Sequence, residues 1–336
     1  MTVLMCHNYY QNRGGEDEVF EIEAKLLEEH GHQVVQHTVH NEVIKRNNSI
    51  VTGLGAVWNQ SAYNQIRSLI KKENPELVHF FNTFPLFSPS VYYAVKNAKL
   101  PLVQSLHNYR LLCLNATFYR EGSICEDCLD KTIPLPGILH ACYRGSRLQS
   151  TSVAGMQVLH RMLRSWHRKV DAFLLGSTHF ALDKFVQVGF PKEAFLLKPN
   201  FVFPDPGVGE GKGDYVIFVG RFDETKGIDD LLKAWKSKDL SIPLKIIGDG
   251  QLMPQVKKFA QELDHVEWLG RKSLTEMYEL MKEARFLVFP SRWYEAMPRT
   301  IIDSFAVGTP VCASNTGAMH DLISDGQSGL LFTPGD

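Results

Sequence analysis

No apolar run in the 336 residues approaches the ~18 that a membrane-spanning helix needs, so no such span is expected. The opening stretch, MTVLMCHNYY, lacks a basic region and a long apolar core. It reads as a first strand rather than a leader, and the expectation is a cytoplasmic chain. Net charge is nearly absent: 36 Lys and Arg against 37 Asp and Glu give −1, so no global field draws the chain to nucleic acid. There is no repeat of solenoid length and no low-complexity tract. Cysteine is sparse, six in all, and in a reducing compartment these should be thiols unless they hold metal.

What is present is ordinary globular composition, 44% hydrophobic and 22% charged, in a length that suits two domains. Short apolar runs alternate with amphipathic patterns. TVLMCH, QVVQHTV, ELVHFF, PLVQSL and DAFLLGS read as strands, with helices near 59–73, 89–98, 150–170 and 179–188. The stretch 201–213, FVFPDPGVGEGKG, has two prolines and four glycines and reads as a linker. After it the alternation restarts with YVIFVG, LKIIG, VEWLG, FLVFP, PVCAS and GLLF. Strands separated by helices imply parallel sheets with right-handed crossovers. The expected fold is α/β: two doubly wound Rossmann-like domains, 1–200 and 214–336, facing a cleft.

The stretch 293–311, WYEAMPRTIIDSFAVGTPV, places Glu295 in a loop and Asp303 in a helix. Pro298 suits the first helical position, and Gly308 suits the end. Ile301, Ile302, Phe305 and Ala306 would form the buried stripe, with Arg299 and Asp303 on another face. The helix start offers unpaired N–H groups and a partial positive charge, which favour a phosphate. Carboxylates cannot sit on a phosphate without a metal, but they accept hydrogen bonds from hydroxyls. Asp303 lies ~8 Å along the axis from the helix start, a sugar-sized offset. A nucleotide-sugar has hydroxyls at both ends and phosphates between, and it needs cations. VIFVGRFDETKG supplies Gly220 for close backbone approach, with Arg221 and Lys226 as phosphate partners. IIGDGQ brings Gly248 and Gly250 to the same sheet edge.

VGRFDETKG, IIGDG, VEWLGRKSLTEMYELMKEARFLVFPS and YEAMPRTIIDSFAVGTPVCASNTGAMHDLISDGQSGLLF, in this order, resemble the retaining glycosyltransferases of family 4, which have the GT-B fold. The N-terminal half resembles them more loosely, through Gly14-Gly15, the strand ending at His107, and GSTHFALDKF. The resemblance implies sugar transfer from a UDP- or GDP-linked donor to a saccharide or lipid-linked acceptor, with retention, in polysaccharide biosynthesis. It implies that Glu295 accepts a donor-sugar hydroxyl, Asp303 binds ribose, and Arg221 and Lys226 neutralise the departing diphosphate. Gly14 and Gly15 would close over the phosphates, and His107 would face the donor sugar. The chain departs from the family at Asp303, where Glu is usual, and at Ala296-Met297-Pro298-Arg299, where glycines are common. Arg299 could add a phosphate contact. Family members also continue past LLFTPGD, so a C-terminally truncated member is expected. There is no D-x-D pair to bridge Mg²⁺ or Mn²⁺, and a metal-independent diphosphate site is expected. The alternatives are a nucleotide-sugar epimerase on the same scaffold and a non-catalytic nucleotide-sugar binder.

Four cysteines, Cys113, Cys125, Cys128 and Cys142, fall in one loop-rich insertion at about 110–145. Their spacing can build a structural Zn²⁺ site. The alternative is four reduced thiols. His107 could equally be a satisfied structural histidine, Gly14-Gly15 a plain turn, and Arg221 and Lys226 surface charges. His7 and His79 carry no assigned role. LHRMLRSWHRKV, 159–170, is basic with Leu159, Met162, Leu163 and Trp166 on one stripe. It could lie on anionic lipid at the inner face of the cytoplasmic membrane, or pack on the sheet with its charges solvated.

Overall fold

The computed structural model describes residues 1–46, 49–176, 178–237 and 240–336. Its chain divides into two compact units. Unit 1 comprises Met1–Phe118, Glu126–Ser177 and Ala181–Pro199; unit 2 comprises Tyr119–Cys125, Thr178–Phe180 and Asn200–Asp336.

Unit 1 runs β1 (Thr2–Tyr9), α1 (Gly15–Glu29), β2 (Gln33–His40), α2 (Ser49–Val57), α3 (Gln60–Glu73), β3 (Leu77–Phe80), α4 (Ser90–Asn97) and β4 (Leu102–Leu106). A two-stranded hairpin, β5 (Tyr119–Arg120) and β6 (Ser123–Ile124), interrupts it. It resumes with α5 (Leu135–Leu139), α6 (Arg147–Met162), α7 (Ser165–Lys169), β7 (Ala172–Leu175), α8 (His179–Gln187, of which His179 and Phe180 belong to unit 2) and β8 (Phe195–Leu197). The sheet order is β2-β1-β3-β4-β7-β8, all parallel. Its strand order reverses between β1 and β3.

Unit 2 runs β9 (Val216–Val219), α9 (Ile228–Trp235), β10 (Leu244–Ile247), α10 (Met253–Glu262), β11 (Val266–Gly270), α11 (Leu274–Glu283), β12 (Phe286–Phe289), α12 (Arg299–Ala306), β13 (Val311–Ser314), α13 (Met319–Leu322) and β14 (Gly329–Phe332). The order β11-β10-β9-β12-β13-β14 is all parallel and reverses between β9 and β12. Two apolar clusters cover the sheet. One holds Ile217, Leu287 and Ile301, the other Val216, Val288 and Leu231. Burial on both faces explains why these strands read as continuous apolar runs.

Several expectations shift. The single helix expected over 150–170 is two, because Arg164 takes a left-handed φ of +50° between α6 and α7. Its stripe divides as well: Trp166 is wholly buried, whereas Leu159, Met162 and Leu163 are exposed. The helix expected from Pro298 to Gly308 is the eight-residue α12, with Pro298 at its N-cap in extended geometry (ψ 119°) rather than in the first turn. Its buried residues are Arg299, Ile301, Asp303 and Ser304, so the polar pair lies on the inner face. The stretch 201–213 is hydrogen-bonded to unit 2: Gly209, Gly211 and Gly213 donate N–H groups to Val307, Lys282 and Glu283 carbonyls at 2.9, 3.0 and 2.8 Å. Ser177, within DAFLLGS and GSTHFALDKF, lies outside the described residues.

Candidate functional site

In an open parallel sheet the strand-order reversal leaves a crevice at the carboxyl ends of the strands. In unit 2 the two loops at that point follow β9 and β12. The first begins at Gly220 and anchors through Phe222, which is wholly buried. Asp223 Oδ1 accepts the Thr225 N–H at 3.1 Å and turns the chain through Glu224–Lys226. Gly227 follows at φ +67°, where an added Cβ would lie 1.9 Å from the Pro290 carbonyl oxygen. Only glycine lets the β9 loop pass this close to the β12 loop.

The β12 loop is fastened in return. Arg292 N–H donates to Thr225 O at 2.9 Å, and Ser291 Oγ lies 3.2 Å from the same oxygen. The Arg292 guanidinium grips Asp230 and Asp229 in the first turn of α9, with Nε–Oδ2 2.5 Å to Asp230 and Nη2–Oδ2 2.9 Å to Asp229.

This fastening brings Lys226 and Glu295 together. Lys226 Nζ forms an ion pair with Glu295 Oε1, and the two side chains are only 17% and 7% exposed. The same oxygen accepts Ser291 Oγ at 2.9 Å and Trp293 Nε1 at 2.7 Å. Among the described residues Oε2 accepts none, which leaves one carboxylate oxygen for a ligand hydroxyl. Lys226 Nζ also lies 5.3 Å from the Trp293 ring centroid and 5.5 Å from that of Phe289, so aromatic faces help retain the cation.

Asp303 is 4% exposed. Its Oδ1 accepts Tyr278 Oη at 2.9 Å and Arg299 Nε at 3.4 Å. Burial first, then the Asp303 charge, pushes the Tyr278 phenol above its ordinary pKa, so it stays a donor. Arg299 is buried on the same face, tied to Asp303. Arg221 by contrast is 59% exposed, 3.5 Å from Asp223. Gly248 (φ +135°) and Gly250 (φ +150°) bring the β10 loop against the β9 loop: an added Cβ would meet Gly220 O at 1.9 Å and Phe222 backbone at 2.6 Å. Here the structure gives these glycines a loop-packing task.

In unit 1, Gly14 is the N-cap of α1 and Gly15 its first residue. Gly14 has extended geometry (φ −133°), and an added Cβ would meet nothing within 4 Å. The turn is held by Asp17, whose Oδ2 accepts the Gly14 N–H at 2.9 Å and whose Oδ1 pairs with buried His7 Nε2 at 2.7 Å. His107 follows β4, its ring parallel to Phe81 at 6.0 Å. Burial, then Lys198 and His7, lower its pKa to about 3. It is a neutral imidazole at physiological pH, able to donate or accept a hydrogen bond to a hydroxyl.

The zinc expectation is not supported. Among the described residues no three His, Cys, Asp or Glu side chains form a group able to hold a metal. The thiols have local tasks instead. Cys113 Sγ donates to Asn115 Oδ1 at 2.9 Å, Cys128 Sγ accepts the Gly137 N–H at 3.2 Å, and Cys142 packs against the cluster of Leu114, Val153, Ala154 and Met156. Cys125 is half-buried, and none of the four is in a disulfide.

Sequence reasoning missed Ser291, Trp293 and Tyr278, which orient the two acids, and the His7–Asp17 pair. The only sequence signal for the last was an acid at the third position of α1, where a capping side chain belongs.

Residues 205–336 match the family model described as glycosyl transferases group 1. An uncharacterized glycosyltransferase, MJ1178, of Methanocaldococcus jannaschii is 38% identical over 124 residues, covering 36% of this chain and 34% of that protein. The phosphatidyl-myo-inositol mannosyltransferase of Mycobacterium leprae is 30% identical over 205 residues, 56% of this chain and 52% of that one. The chain spans about a third of the length of the first curated relatives it matches. Among solved structures, Anabaena Alr3699/HepE in complex with UDP superposes with a TM-score of 0.66 at 17% identity, covering 100% of this chain and 86% of that one. Sucrose-phosphate synthase from Thermosynechococcus elongatus gives 0.65 at 14% identity, covering 100% and 87%. These likenesses show the fold: two parallel-sheet α/β units of the GT-B type. No helix among the described residues is long and apolar enough to cross a membrane.

Proposed function

We infer that the chain is a retaining glycosyltransferase. It moves a sugar from a UDP- or GDP-linked donor to a saccharide or lipid-linked acceptor, in the manner of polysaccharide biosynthesis, without a metal ion at the diphosphate. The observation that carries this reading is the Lys226–Glu295 pair at the strand-order reversal of unit 2, within the region that matches the family model. A cation and a carboxylate with one open oxygen are what a sugar diphosphate needs. Lys226 neutralises charge on the departing diphosphate, aided by exposed Arg221 and the N-terminus of α12. Glu295 Oε2 accepts a hydroxyl of the donor sugar. Asp303, steadied by Tyr278, takes the ribose. For unit 1, the family resemblance assigns a phosphate contact to Gly14 and Gly15 and a sugar-hydroxyl contact to His107. The UDP and UDP-glucose complexes of the Anabaena structure favour UDP as carrier. The mycobacterial mannosyltransferase favours a lipid-linked acceptor, and exposed Leu159, Met162 and Leu163 would meet the membrane face.

The test is nucleotide release from a panel of nucleotide-sugars, with and without glycan and lipid-linked acceptors. Acceptor-stimulated release is expected. Lys226→Met and Glu295→Gln should each lower turnover by roughly 100-fold or more. Wild-type turnover in both variants would sink the assignment. An altered sugar without release would point to an epimerase, and thermal stabilisation by UDP without turnover to a binder.

A further inference from the structure

The carboxyl edge of the unit 1 sheet carries a second concentration of charge that the donor reading does not use. Arg110 lies beyond β4, three residues after His107. Its guanidinium carbon is 4.8 Å from the Phe84 ring centroid and 4.9 Å from that of Tyr143. Those rings meet edge to face at 5.6 Å. Phe84 follows β3, and its N–H is fixed by Asn82 Oδ1 at 3.0 Å. The Tyr143 N–H is fixed by Ser150 Oγ at 2.9 Å. The Arg110 backbone is clamped too: its N–H donates to Asn108 Oδ1 at 2.9 Å, and its carbonyl accepts Gln157 Nε2 at 2.7 Å. One guanidinium N–H is used on the Leu114 carbonyl. Among the described residues no carboxylate pairs with the rest of the fork.

A second guanidinium packs on the same Tyr143 ring. Arg144, at a left-handed φ of +54°, has its guanidinium carbon 5.7 Å from the same Tyr143 ring. Its Nη2 reaches Gln11 Oε1, beyond β1, at 3.4 Å, and it too forms no ion pair among the described residues. Glu16, the carboxylate of this loop cluster, is engaged elsewhere: Tyr10 Oη donates to its Oε2 at 2.6 Å and Asn108 Nδ2 at 3.4 Å. Burial lowers the Arg110 pKa and Arg144 acts in the same direction, whereas Tyr143, Tyr10 and Cys113 favour its charge. The Arg144 charge disfavours that of Arg110, and an anion that reaches both guanidiniums offsets this repulsion. An arginine fork fixed on aromatic rings binds planar or tetrahedral oxyanions with little entropy left to lose.

We propose that Arg110 and Arg144 form an oxyanion-binding site in unit 1 that takes an anionic group of the acceptor. That group is either the carboxylate of an acidic saccharide or the diphosphate of a lipid-linked one. The site lies at the strand-order reversal between β1 and β3, where an α/β sheet receives its ligand, and no residue of the donor site belongs to it. Calling its ligand the acceptor rests on the transferase reading; the anion site itself does not.

Calorimetry on the full chain in excess UDP, so that the donor site is filled, tests this. Methyl glucuronide and farnesyl diphosphate are the anionic probes; methyl glucoside and farnesol are their neutral counterparts. One anionic probe should bind at least 10-fold more tightly than its counterpart, and which one identifies the source of the anion. Arg144→Ala, at an exposed position, should weaken that probe roughly 10-fold, and Arg110→Ala roughly 10- to 100-fold, the range for a hydrogen bond to a charged group. Arg110→Lys, which keeps the charge and loses the fork, should weaken it as well. UDP titrations should be the same in every variant. Equal binding of charged and neutral probes by the wild type, or wild-type affinity in Arg144→Ala and Arg110→Lys, would overturn the proposal. A wild type that takes the anion through these arginines but binds no nucleotide-sugar would instead defeat the donor reading and leave this site standing.

Discussion

Two histidines of unit 1 are held neutral by burial, and this has a measurable consequence. His79 and His107 both have pKa values lowered to about 3, by burial first and then by Lys198. A folded-state pKa below the unfolded ~6.5 means that the unfolded chain binds protons the native chain refuses. Stability is therefore full above about pH 6.5 and is lost as pH falls toward 3. Between pH 7 and 5 each histidine should remove about 2 kcal/mol. Melting curves of wild type and His107→Gln across this interval test it: the variant should lose less stability on acidification by about that amount. Parallel pH profiles would show that His107 is not held neutral. Neither histidine's state was legible in the sequence, because both shifts arise from neighbours distant along the chain. That Lys226 and Glu295 lie in loops following strands was legible, through the order of the motifs around them. The three groups that converge on Glu295 Oε1 were not, since nothing in WYEAMPRTIIDSFAVGTPV says that Trp293 turns back to it.

At the scale of elements, glycine decided which segments could be read. The central strands of both units were legible because strands buried on two faces need unbroken apolar runs. Helix α2 was not: SIVTGLGAV contains two glycines and no charged residue to mark a solvent face. Gly53 has a structural reason, since an added Cβ would lie 2.5 Å from Ser152 Oγ of α6. Gly55 meets nothing within 4 Å. Gly55→Ala should therefore stabilise the protein by roughly 0.5–1 kcal/mol, the ordinary helix-interior difference. Gly227→Ala should do the reverse, costing at least ~2 kcal/mol, because left-handed geometry and overlap with the Pro290 carbonyl act together. Thermal melts of the two variants should move in opposite directions, and a shift of the same sign would contradict the packing described for either α2 or the β9 loop. The break at Arg164 was invisible for a related reason: no glycine or proline marks the left-handed residue between α6 and α7.

For the whole molecule, the two sheets are separate six-stranded systems, each with its own strand-order reversal. The doubled α/β pattern was legible, as was its restart after the 201–213 stretch. The allocation of Tyr119–Cys125 and Thr178–Phe180 to unit 2 was not, because no composition change accompanies them. Hydrogen exchange should reflect the division. UDP should slow exchange in the loops 220–227 and 290–298 of unit 2, and leave the strands β7 and β8 of unit 1 unchanged. Protection confined to unit 1 would place the nucleotide elsewhere. Those two outlying pieces also bear on recombination. Thr178 Oγ1 bonds the Ala296 carbonyl at 3.1 Å and Phe180 N–H the Asp321 carboxylate at 2.9 Å. A chimera that exchanged only residues 200–336 with a homologue would strand both contacts on the wrong parent. An exchange of unit 2 as a whole should carry 119–125 and 178–180 along with the C-terminal segment.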